Sequence, residues 1–319
     1  MSNYLGEKEL SKMAVQNKIA KLFRKIIRGR LIFNEYMSSH TSFRIGGKAS
    51  FFVCPKDGKD LKNILELCRN NLLRVFIIGH GTNLLVSDKG FYGCIIDLTE
   101  TFRMVIFQEE RIWAGSGICG SDLVDSSTEH SLDGLQNHSG IPGSFGGWLS
   151  LNAGAFRSSI SEFVESVEVI DFNGREEKLT KDQIGFGYRQ APGLKDKIIK
   201  GAWLELKKGD KKKISDESQS VLKERYRRNV MQLPSAGSVF KNPPGLFAAK
   251  LIESIGGRKL ISGGVRVSEK HSNIILNLGN GLAADVVHLV RIIREMVFKK
   301  YGVFLELELH SLGINWNEI

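Results

Sequence analysis

A glycine-rich segment, SGIPGSFGGWLSLNAGAF over residues 139–156, constrains the fold of this chain more than any other feature. Residues 140–147 contain four glycines, one proline and one serine. Their backbone must therefore fold tightly, in conformations that larger residues disfavour. Side chains this small also let another molecule approach the main chain closely. The segment predicts either a structural corner or a loop that binds a cofactor.

A second glycine segment, IGHGTNLLVSD over residues 78–88, follows an apolar run that predicts a strand. Backbone amides at the end of a strand are free to meet phosphate. The segment is not a dinucleotide fingerprint, because after Gly79 and Gly81 the third glycine position holds Leu84. Alone it is equally compatible with an ordinary turn. Together the two glycine segments favour a pyrophosphate-bearing cofactor between two lobes.

Hydrophobic patterning divides the chain into three regions. From about residue 50 to 97 it predicts strand, helix, strand, loop and strand, with Asp57 as the helix N-cap. From about 98 to 206 it predicts short strands separated by glycine. From about 215 onward it predicts helices, two of them closed by glycine, and the alternating run GVFLELELHSL predicts a final strand.

Length and composition indicate a globular protein of two or three domains. The 319 residues exceed what one core usually holds, and the apolar fraction of 42% is typical. No apolar run reaches the ~20 residues of a membrane span, and the start does not resemble a signal peptide, so we expect a cytoplasmic protein. Four cysteines without a C-x-x-C pair favour reduced, partly buried thiols and no metal: Cys54, Cys68, Cys94 and Cys119.

Much of the net charge of +10 lies in KIAKLFRKIIRGR (18–30) and KKGDKKK (207–213). The second segment predicts a solvated loop at a domain border. The first predicts a basic amphipathic helix that packs on its own domain, with contact to a membrane surface as the alternative. Basic and aromatic residues do not alternate as in base-stacking surfaces, so we expect no nucleic-acid partner. The charge suits anionic small substrates. The apolar stripe of the helix comprises Ile19, Leu22, Phe23, Ile26 and Ile27.

Ser238, in SAGSVFKNP (235–243), stands where no nucleophile can be activated. Its neighbourhood has no histidine base and lacks the second glycine of a G-x-S-x-G elbow. From the local sequence, Ser238 could cap a turn.

Arg189 and Glu308 each have a structural alternative. Arg189 follows Tyr188 in FGYRQA, and a loop arginine is usually solvated. Glu308 shares one face of the predicted last strand with Glu306, and water could cover both carboxylates.

Several motifs occur in the order seen in the UDP-N-acetylenolpyruvoylglucosamine reductase (MurB) family. From about residue 33 to the end, and most closely in its compact second type, the chain resembles this family. The resemblance implies FAD as cofactor, NADPH as co-substrate, and reduction of an enolpyruvyl ether on a UDP-sugar during peptidoglycan synthesis. The motifs are HTSFRIGG (40–47), IGHGTNLLVSDKGFYG (78–93), GIPGSFGG with LNAGAF (140–156), FGYRQAP (186–192), QLPSAGSVFKNP (232–243), AAKLIESIGG (248–257), VSEKHSNIILN (267–277) and GVFLELEL (302–309).

The resemblance also implies an α+β fold class, a two-lobed FAD-binding domain of the vanillyl-alcohol-oxidase (PCMH) type followed by an α+β substrate-binding domain. We expect a basic helical extension over 1–30, FAD-binding lobes over 31–97 and 98–213, and a substrate-binding domain over 214–319. Its last strand would return Glu308 toward the flavin. We expect a monomer without membrane insertion.

Three residues match the catalytic positions of the family. Arg189 would grip the substrate carboxylate, Glu308 would act with it as an acid whose pKa is raised by burial, and Ser238 would donate the proton. Ala191 stands where the family often has serine, and Arg266 where glutamine is common, which leaves a sugar contact of Arg266 open.

Further contacts are carried over motif by motif. Predicted substrate contacts are Tyr188, Arg225, Arg228, Gln232, Lys241 and Asn242, although the two helical arginines fit a salt-bridged surface equally well. Predicted FAD contacts are Arg44, Gly46, Gly79, Gly81, Thr82, Asn83, Leu84, Gly115, Ser116, Gly140, Ile141, Pro142, Gly143, Ser144, Gly146, Gly147, Asn152, Ala153 and Gly154.

Two other functions compete with this one. A flavin oxidase or dehydrogenase of the same fold, acting on another small substrate, would keep the glycine segments but has no reason to keep GSVFKNP together with LELE. A non-catalytic binder of UDP-sugar or nucleic acid would be colourless after purification.

Overall fold

The computed structural model describes residues 16–156, 158–228 and 233–316. The first lobe has helix α1 over residues 16–26 and helix α2 (Gly58–Asn70). Over residues 50–97 the strands match the predicted order, with one short strand added inside the predicted loop, and a further strand precedes this region. The strands are β1 (Arg30–Tyr36), β2 (Lys48–Cys54), β3 (Val75–Ile78), β4 (Leu84–Val86) and β5 (Phe91–Asp97).

The sheet of the first lobe has the strand order β1-β2-β5-β3. Strands β2, β5 and β3 run parallel, and β1 pairs antiparallel at one edge. Helix α2 crosses from β2 to β3 and begins, as predicted, at Asp57, whose side chain accepts a hydrogen bond from the Asp60 backbone. The parallel register brings the glycine segment after β3 to one end of the sheet.

Helix α1 packs its apolar stripe on the first lobe. Ile19 and Phe23 are 2% and 0% exposed, within a core cluster that includes Phe51. Burial of one such side chain contributes about 2 kcal/mol. The predicted amphipathic helix is therefore present, and packing on its own domain accounts for its apolar face.

The second lobe contains a five-stranded antiparallel sheet with the order β12-β11-β13-β7-β6. The second lobe also contains helices that are not part of the sequence prediction: α3 (Gly120–Glu129), α4 (Phe145–Ser150) and α5 (Lys181–Ile184). The strands are β6 (Val105–Gln108), β7 (Arg111–Gly115), β8 (Leu132–Asp133), β9 (Gly154–Ala155), β10 (Ser158–Ser159), β11 (Val164–Asp171), β12 (Glu176–Thr180), β13 (Lys197–Glu205) and β14 (Lys207–Lys208).

The described residues of the C-terminal part form three helices and four short strands. The predicted loop over residues 207–213 is wrong, because β14 occupies its start and α6 begins at Lys211, where exposed lysines are compatible with a helix. The elements are α6 (Lys211–Arg228), α7 (Ala248–Ser254), β15 (Ile261–Ser262), β16 (Val265–Val267), β17 (Ile275–Asn277), α8 (Ala283–Tyr301) and β18 (His310–Leu312). Short 3-10 helices of the chain are Met37–His40, Gln136–His138, Ile160–Glu162, Pro192–Leu194 and Gly257–Lys259.

The predicted final strand is mostly wrong. Only His310–Leu312 forms a strand, which pairs in parallel with β4, and residue 307 makes a single bridge to Phe240. The predicted alternation nevertheless holds in burial, since Leu305 and Leu309 are buried while Glu306 is exposed. A periodic pattern reports which side faces the core, but a ladder also needs a partner strand along its whole length.

Hydrogen bonds join the C-terminal part to the first lobe. The carboxylate of Asp88 accepts from the Ala283 and Ala284 amides at the start of α8, at 2.8 and 3.0 Å. The Asn277 amide donates to the Phe43 carbonyl at 2.9 Å. These contacts hold the C-terminal part against the first lobe.

Within the described ranges, no helix is long and apolar enough to cross a bilayer.

His138 is a buried titratable residue beneath the glycine-rich segment. It is 0% exposed, and its ring centroid lies 5.5 Å from that of Trp148 and 6.0 Å from that of Phe163. Burial lowers the pKa of His138 to about 4, against the opposing effects of the Ala153 backbone and Glu162.

We expect acid to destabilise the protein through His138. The folded pKa lies below the unfolded value, so the contribution is present above pH ~6.5 and is lost as pH falls toward ~4, by up to about 3 kcal/mol. Urea unfolding followed by circular dichroism across this range should show a flatter profile for His138→Leu. The exposed His288 offers a control, since His288→Gln should keep the wild-type profile. Parallel curves for wild type and His138→Leu would contradict the assignment.

Candidate active site

The main cleft has a volume of about 660 Å³ and is lined by both lobes and the C-terminal part. The two glycine segments line it, together with Ser238, Arg189 and Glu308. Sequence reasoning therefore selected residues from distant parts of the chain that share one cavity. Among the predicted FAD contacts, those on its wall are Arg44, Gly79, Gly81, Thr82, Asn83, Leu84, Gly140, Ile141, Pro142, Gly143, Ser144, Gly147, Ala153 and Gly154.

The two glycine segments touch each other at a point where a side chain would not fit. A Cβ on Gly79 would lie 2.1 Å from the Ser144 hydroxyl oxygen. Gly81 has φ +60°, and a Cβ there would lie 2.1 Å from the His40 carbonyl oxygen. Both positions exclude a side chain, Gly81 because of the neighbouring backbone and Gly79 because of the Ser144 side chain, and both glycines line the cleft.

The segment over residues 140–147 folds as a tight turn into helix α4. Ser144 caps the helix by accepting from the Gly147 amide, and the Gly146 amide donates to the Ser116 carbonyl at 2.8 Å. Gly140 packs against helix α6, because a Cβ there would lie 2.9 Å from Cδ of Arg225. The segment is thus both the structural corner and an exposed wall of the cleft.

Five predicted FAD contacts lie behind the cleft wall. Gly46, Gly115, Ser116, Gly146 and Asn152 do not line the cavity. Asn152 donates to the Gly187 carbonyl at 2.9 Å and accepts from the Ser161 amide, so its side chain supports the neighbouring turn. The hydroxyl of the buried Ser116 has no hydrogen-bond partner within the described ranges.

The residues of the cleft fit a flavin dinucleotide. The cleft wall at the junction of the lobes carries main chain without side chains, where backbone amides can bind a diphosphate, at Gly79, Gly81, Gly140, Gly143 and Gly147. Apolar side chains, including Ile141, Leu151 and Ile274, line other parts of the same cavity and suit a flat ring system.

Ser238 is held in place by its backbone. The Val239 amide donates to the Asn273 carbonyl, and the Asn273 side chain makes two hydrogen bonds to the backbone of Phe240, at 3.0 and 2.8 Å. Gly237, with φ +72°, turns the chain immediately before the serine. The half-buried Ser238 hydroxyl therefore stands on a rigid segment of the cleft wall.

Arg189 stands at the tip of a tight turn. Gly187 and Gln190 exchange two backbone hydrogen bonds, and Arg189 adopts φ +55°, a conformation that is strained for arginine. Its Nη2 donates to the Gly154 carbonyl at 3.1 Å, and its Nε lies 2.8 Å from Oε1 of Glu308. This ion pair joins the second lobe to the C-terminal part.

Glu308 has the raised pKa that its predicted burial implies. The side chain is 17% exposed, and burial raises its pKa while Arg189 and, more weakly, Lys241 oppose the shift. Glu306, two residues earlier, is 72% exposed and lies 3.4 Å from the Lys241 ammonium. The two carboxylates of the same segment thus occupy very different environments.

The predicted substrate contacts lie in different environments. Arg225 lines the cleft, donates to the Ser139 carbonyl at 2.9 Å and has its pKa lowered by burial and by Arg189. Tyr188 is 55% exposed at the turn, and Lys241 lines an adjoining side cavity of about 380 Å³. Asn242 accepts from the Ala248 amide and caps α7. Gln232 and the side chain of Arg228 lie outside the described residues.

Arg266 and Ala191, which differ from the common family residues, lie outside the wall of the main cleft. Arg266 pairs with Glu269 and does not line the cleft. Ala191 is buried beside the side cavity, where it provides no hydroxyl. His271 lines the main cleft, and the Asn273 side chain hydrogen-bonds the backbone of Phe240 beside Ser238.

Several cleft residues were missed by sequence reasoning. Ser42 donates to the Ser235 carbonyl at 2.7 Å across the domain junction, and His80 stands between the glycines of the first segment. His80, Ser42 and Ser235 lie inside quoted motifs, and His310 directly follows one. Motif membership did not indicate that these side chains line the cleft, and the contact between Ser42 and Ser235 arises from the tertiary fold. The other missed lining residues include Trp148, Ser150, Leu151, Leu233 and Ile274.

Comparison with family profiles assigns both parts of the chain. An FAD binding domain profile matches residues 49–180, and the profile of the C-terminal domain of UDP-N-acetylenolpyruvoylglucosamine reductase matches residues 229–312. These matches confirm FAD as the cofactor class and agree with the predicted fold class.

Relatives cover nearly the whole chain. The UDP-N-acetylenolpyruvoylglucosamine reductase of Caldanaerobacter subterraneus is 38% identical over 297 residues, which are 92% of this chain and 98% of the relative. That of Desulforamulus reducens is 37% identical over 94% of this chain and 99% of the relative. The crystal structure of the MurB enzyme from Thermus caldophilus superposes with a TM-score of 0.75 at 30% identity, over 89% of this chain and 99% of that one. The chain belongs to the UDP-N-acetylenolpyruvoylglucosamine reductase family of oxidoreductases, as its motifs predicted.

Proposed function

We propose that this protein uses NADPH and bound FAD to reduce UDP-N-acetylglucosamine enolpyruvate to UDP-N-acetylmuramate, a step of peptidoglycan synthesis. The observation that supports this most is the shared cleft of Ser238, Arg189 and Glu308 with the two glycine segments. When bound, FAD would supply the hydride-transfer chemistry that carries reducing equivalents from NADPH to the methylene carbon of the enolpyruvyl group.

The proposed FAD contacts are the residues of the two glycine segments and the residues that pack behind them. Backbone amides of residues 79–84 and 140–147 would hold the diphosphate between lobes at 31–97 and 98–213. The domain at 214–319 would cover the flavin and bind the sugar nucleotide. NADPH and substrate would occupy the same cleft in turn. We expect the enzyme to act as a cytoplasmic monomer.

Arg189 and Glu308 would manage charge on the substrate. The guanidinium already faces the cleft, and its planar donors can bind the enolpyruvyl carboxylate and stabilise negative charge as it delocalises into that group. Glu308 fixes the orientation of Arg189 by the 2.8 Å ion pair. Burial raises its pKa against the opposing effect of Arg189, so protonation costs less than for an exposed glutamate, and a protonated Glu308 would repel a second carboxylate less.

Ser238 would complete the reduction by donating its hydroxyl proton to the carbon beside the carboxylate. Hydride addition to the methylene leaves an electron pair on that neighbouring carbon, and the new C–H bond consumes it. The resulting serine alkoxide would recover a proton from water. Lys241, Asn242, Tyr188, Arg225, Arg228 and Gln232 are the proposed contacts for the diphosphate and sugar.

Anaerobic stopped-flow absorbance tests the proposal directly. Mixing the flavoprotein with NADPH should bleach the flavin band, and subsequent addition of the UDP-enolpyruvyl sugar should restore it. In a related oxidase of the same fold, oxygen or another acceptor would reoxidise the flavin, and the sugar would leave the flavin reduced. A purified protein without flavin absorbance would contradict the cofactor-dependent function.

Ser238→Ala should separate the two half-reactions. Flavin reduction by NADPH should remain nearly intact, because that step needs no proton from serine. Reoxidation by the sugar should slow by about 10³-fold, since proton donation is lost. Ser235→Ala, which removes another hydroxyl of the cleft, should retain reoxidation within about tenfold. Equal rates for Ser238→Ala and wild type in both steps would rule out the proton-donor role.

Glu308→Gln and Glu306→Gln form a matched pair. The first should slow reoxidation by the sugar about 10²-fold, because Arg189 loses the carboxylate that orients it. The second removes an exposed charge and should change either half-reaction by less than about twofold. Single-turnover rates at saturating sugar measure both. If both variants slow reoxidation to a similar extent, loss of negative charge in this segment explains the effect, and the contact with Arg189 does not.

A further inference from the structure

A basic surface lies on the first lobe, away from the main cleft. Residues 16–30 contain six lysines and arginines and no aspartate or glutamate. Lys18, Lys21 and Lys25 are exposed on helix α1, on the side opposite the buried Ile19 and Phe23. None of residues 16–30 lines the main cleft. This charge therefore has no part in the proposed reaction.

The basic surface is rigidly attached to the protein. The buried carboxylate of Asp60 accepts from the amides of Arg28, Gly29 and Lys56, with shortest distances of 3.1, 2.9 and 2.9 Å. These bonds bring the exposed Lys56 beside the end of α1. These bonds fix the backbone that carries the lysines relative to the lobe. Each ammonium group can still move by rotation of its own side chain.

Acidic groups next to this surface are already paired. Asp57 binds Arg28, and Glu100 binds Arg30 at 2.8 Å. Arg24 lies over the Phe33 ring at 5.0 Å. By contrast, Lys18, Lys21, Lys25 and Lys56 make no salt bridge with any carboxylate in the described part of the chain. We name these four residues the lysine face.

We propose that the lysine face docks this protein reversibly on an anionic phospholipid bilayer. A rise of 1.5 Å per residue spreads Lys18, Lys21 and Lys25 over about 10 Å along one helix, so a planar surface of negative headgroups can meet all three together. The apolar side of α1 is buried in the lobe, so the contact is electrostatic and involves no insertion. The cleft stays open, since none of these lysines lines it.

A bilayer fits this surface better than a nucleic acid does. Proteins that bind single strands combine cations with aromatic side chains on which bases stack. The one aromatic residue in 16–30 is Phe23, which is 0% exposed. Lysine ammonium groups act as compact point charges, which suit a diffuse anionic plane more than a defined phosphate geometry.

Vesicle sedimentation tests the proposal with the flavin-loaded full chain. The vesicles contain phosphatidylglycerol and phosphatidylcholine in equal parts, or phosphatidylcholine alone. The test variant is Lys18→Gln/Lys21→Gln/Lys25→Gln. The control variant is Lys211→Gln/Lys212→Gln/Lys213→Gln, which removes the same charge from exposed lysines at the start of α6. Flavin absorbance and circular dichroism establish that both variants are folded and loaded.

We expect wild type and the control variant to bind the anionic vesicles, and added salt to release them. The test variant should bind about a hundredfold more weakly, because each lysine near the surface contributes about fivefold. Equal losses in both variants, absence of wild-type binding, or equal binding to phosphatidylcholine alone would overturn the proposal. A parallel titration with single-stranded RNA tests nucleic acid as the alternative ligand. If RNA binds more tightly than the vesicles, and only the test variant loses that binding, the surface binds nucleic acid instead.

Discussion

The position of Glu308 depends on all three parts of the molecule. Its backbone amide donates to the Val239 carbonyl of the C-terminal part, and its carbonyl accepts from Asn83 of the first lobe at 2.9 Å. Its carboxylate pairs with Arg189 of the second lobe. A buried carboxylate is costly without such a partner. The site therefore forms only when both lobes and the C-terminal part are correctly placed, which couples its chemistry to the whole fold.

Arg189, at a left-handed backbone position, illustrates how tertiary contacts override local conformational preference. Glycine would adopt the φ of +55° at residue 189 more easily, and an arginine there costs about 1–3 kcal/mol. The guanidinium compensates through its contacts with Gly154 and Glu308. Gly81, whose Cβ would meet the His40 carbonyl, shows the opposite case, where only backbone shape matters. The cleft wall thus contains a left-handed position held by side-chain contacts, Arg189, and another that requires glycine, Gly81.

The sequence predicted what local patterns and motifs can encode. Helix α2 with its Asp57 cap, the burial alternation around Glu308 and the family were predictable from spacing and from joint motif order. Helix α4 was missed because Gly146 and Gly147 disfavour a helix, and packing around Trp148 overrides that preference. The contact between Ser42 and Ser235 could not be predicted, since no local pattern reports which distant loops meet.

Positive charge is divided between two environments according to the chemistry of its carriers. The cleft uses Arg189 and Arg225, which remain cationic when partly buried and present planar donors to a carboxylate or phosphate. Helix α1 presents lysines, whose strongly hydrated ammonium groups favour water and interact over a wider area. If the net charge of +10 only steered anionic substrate, the lysines would gain nothing from a fixed location on one helix. Their arrangement opposite a buried apolar stripe suits a second, extended anionic surface.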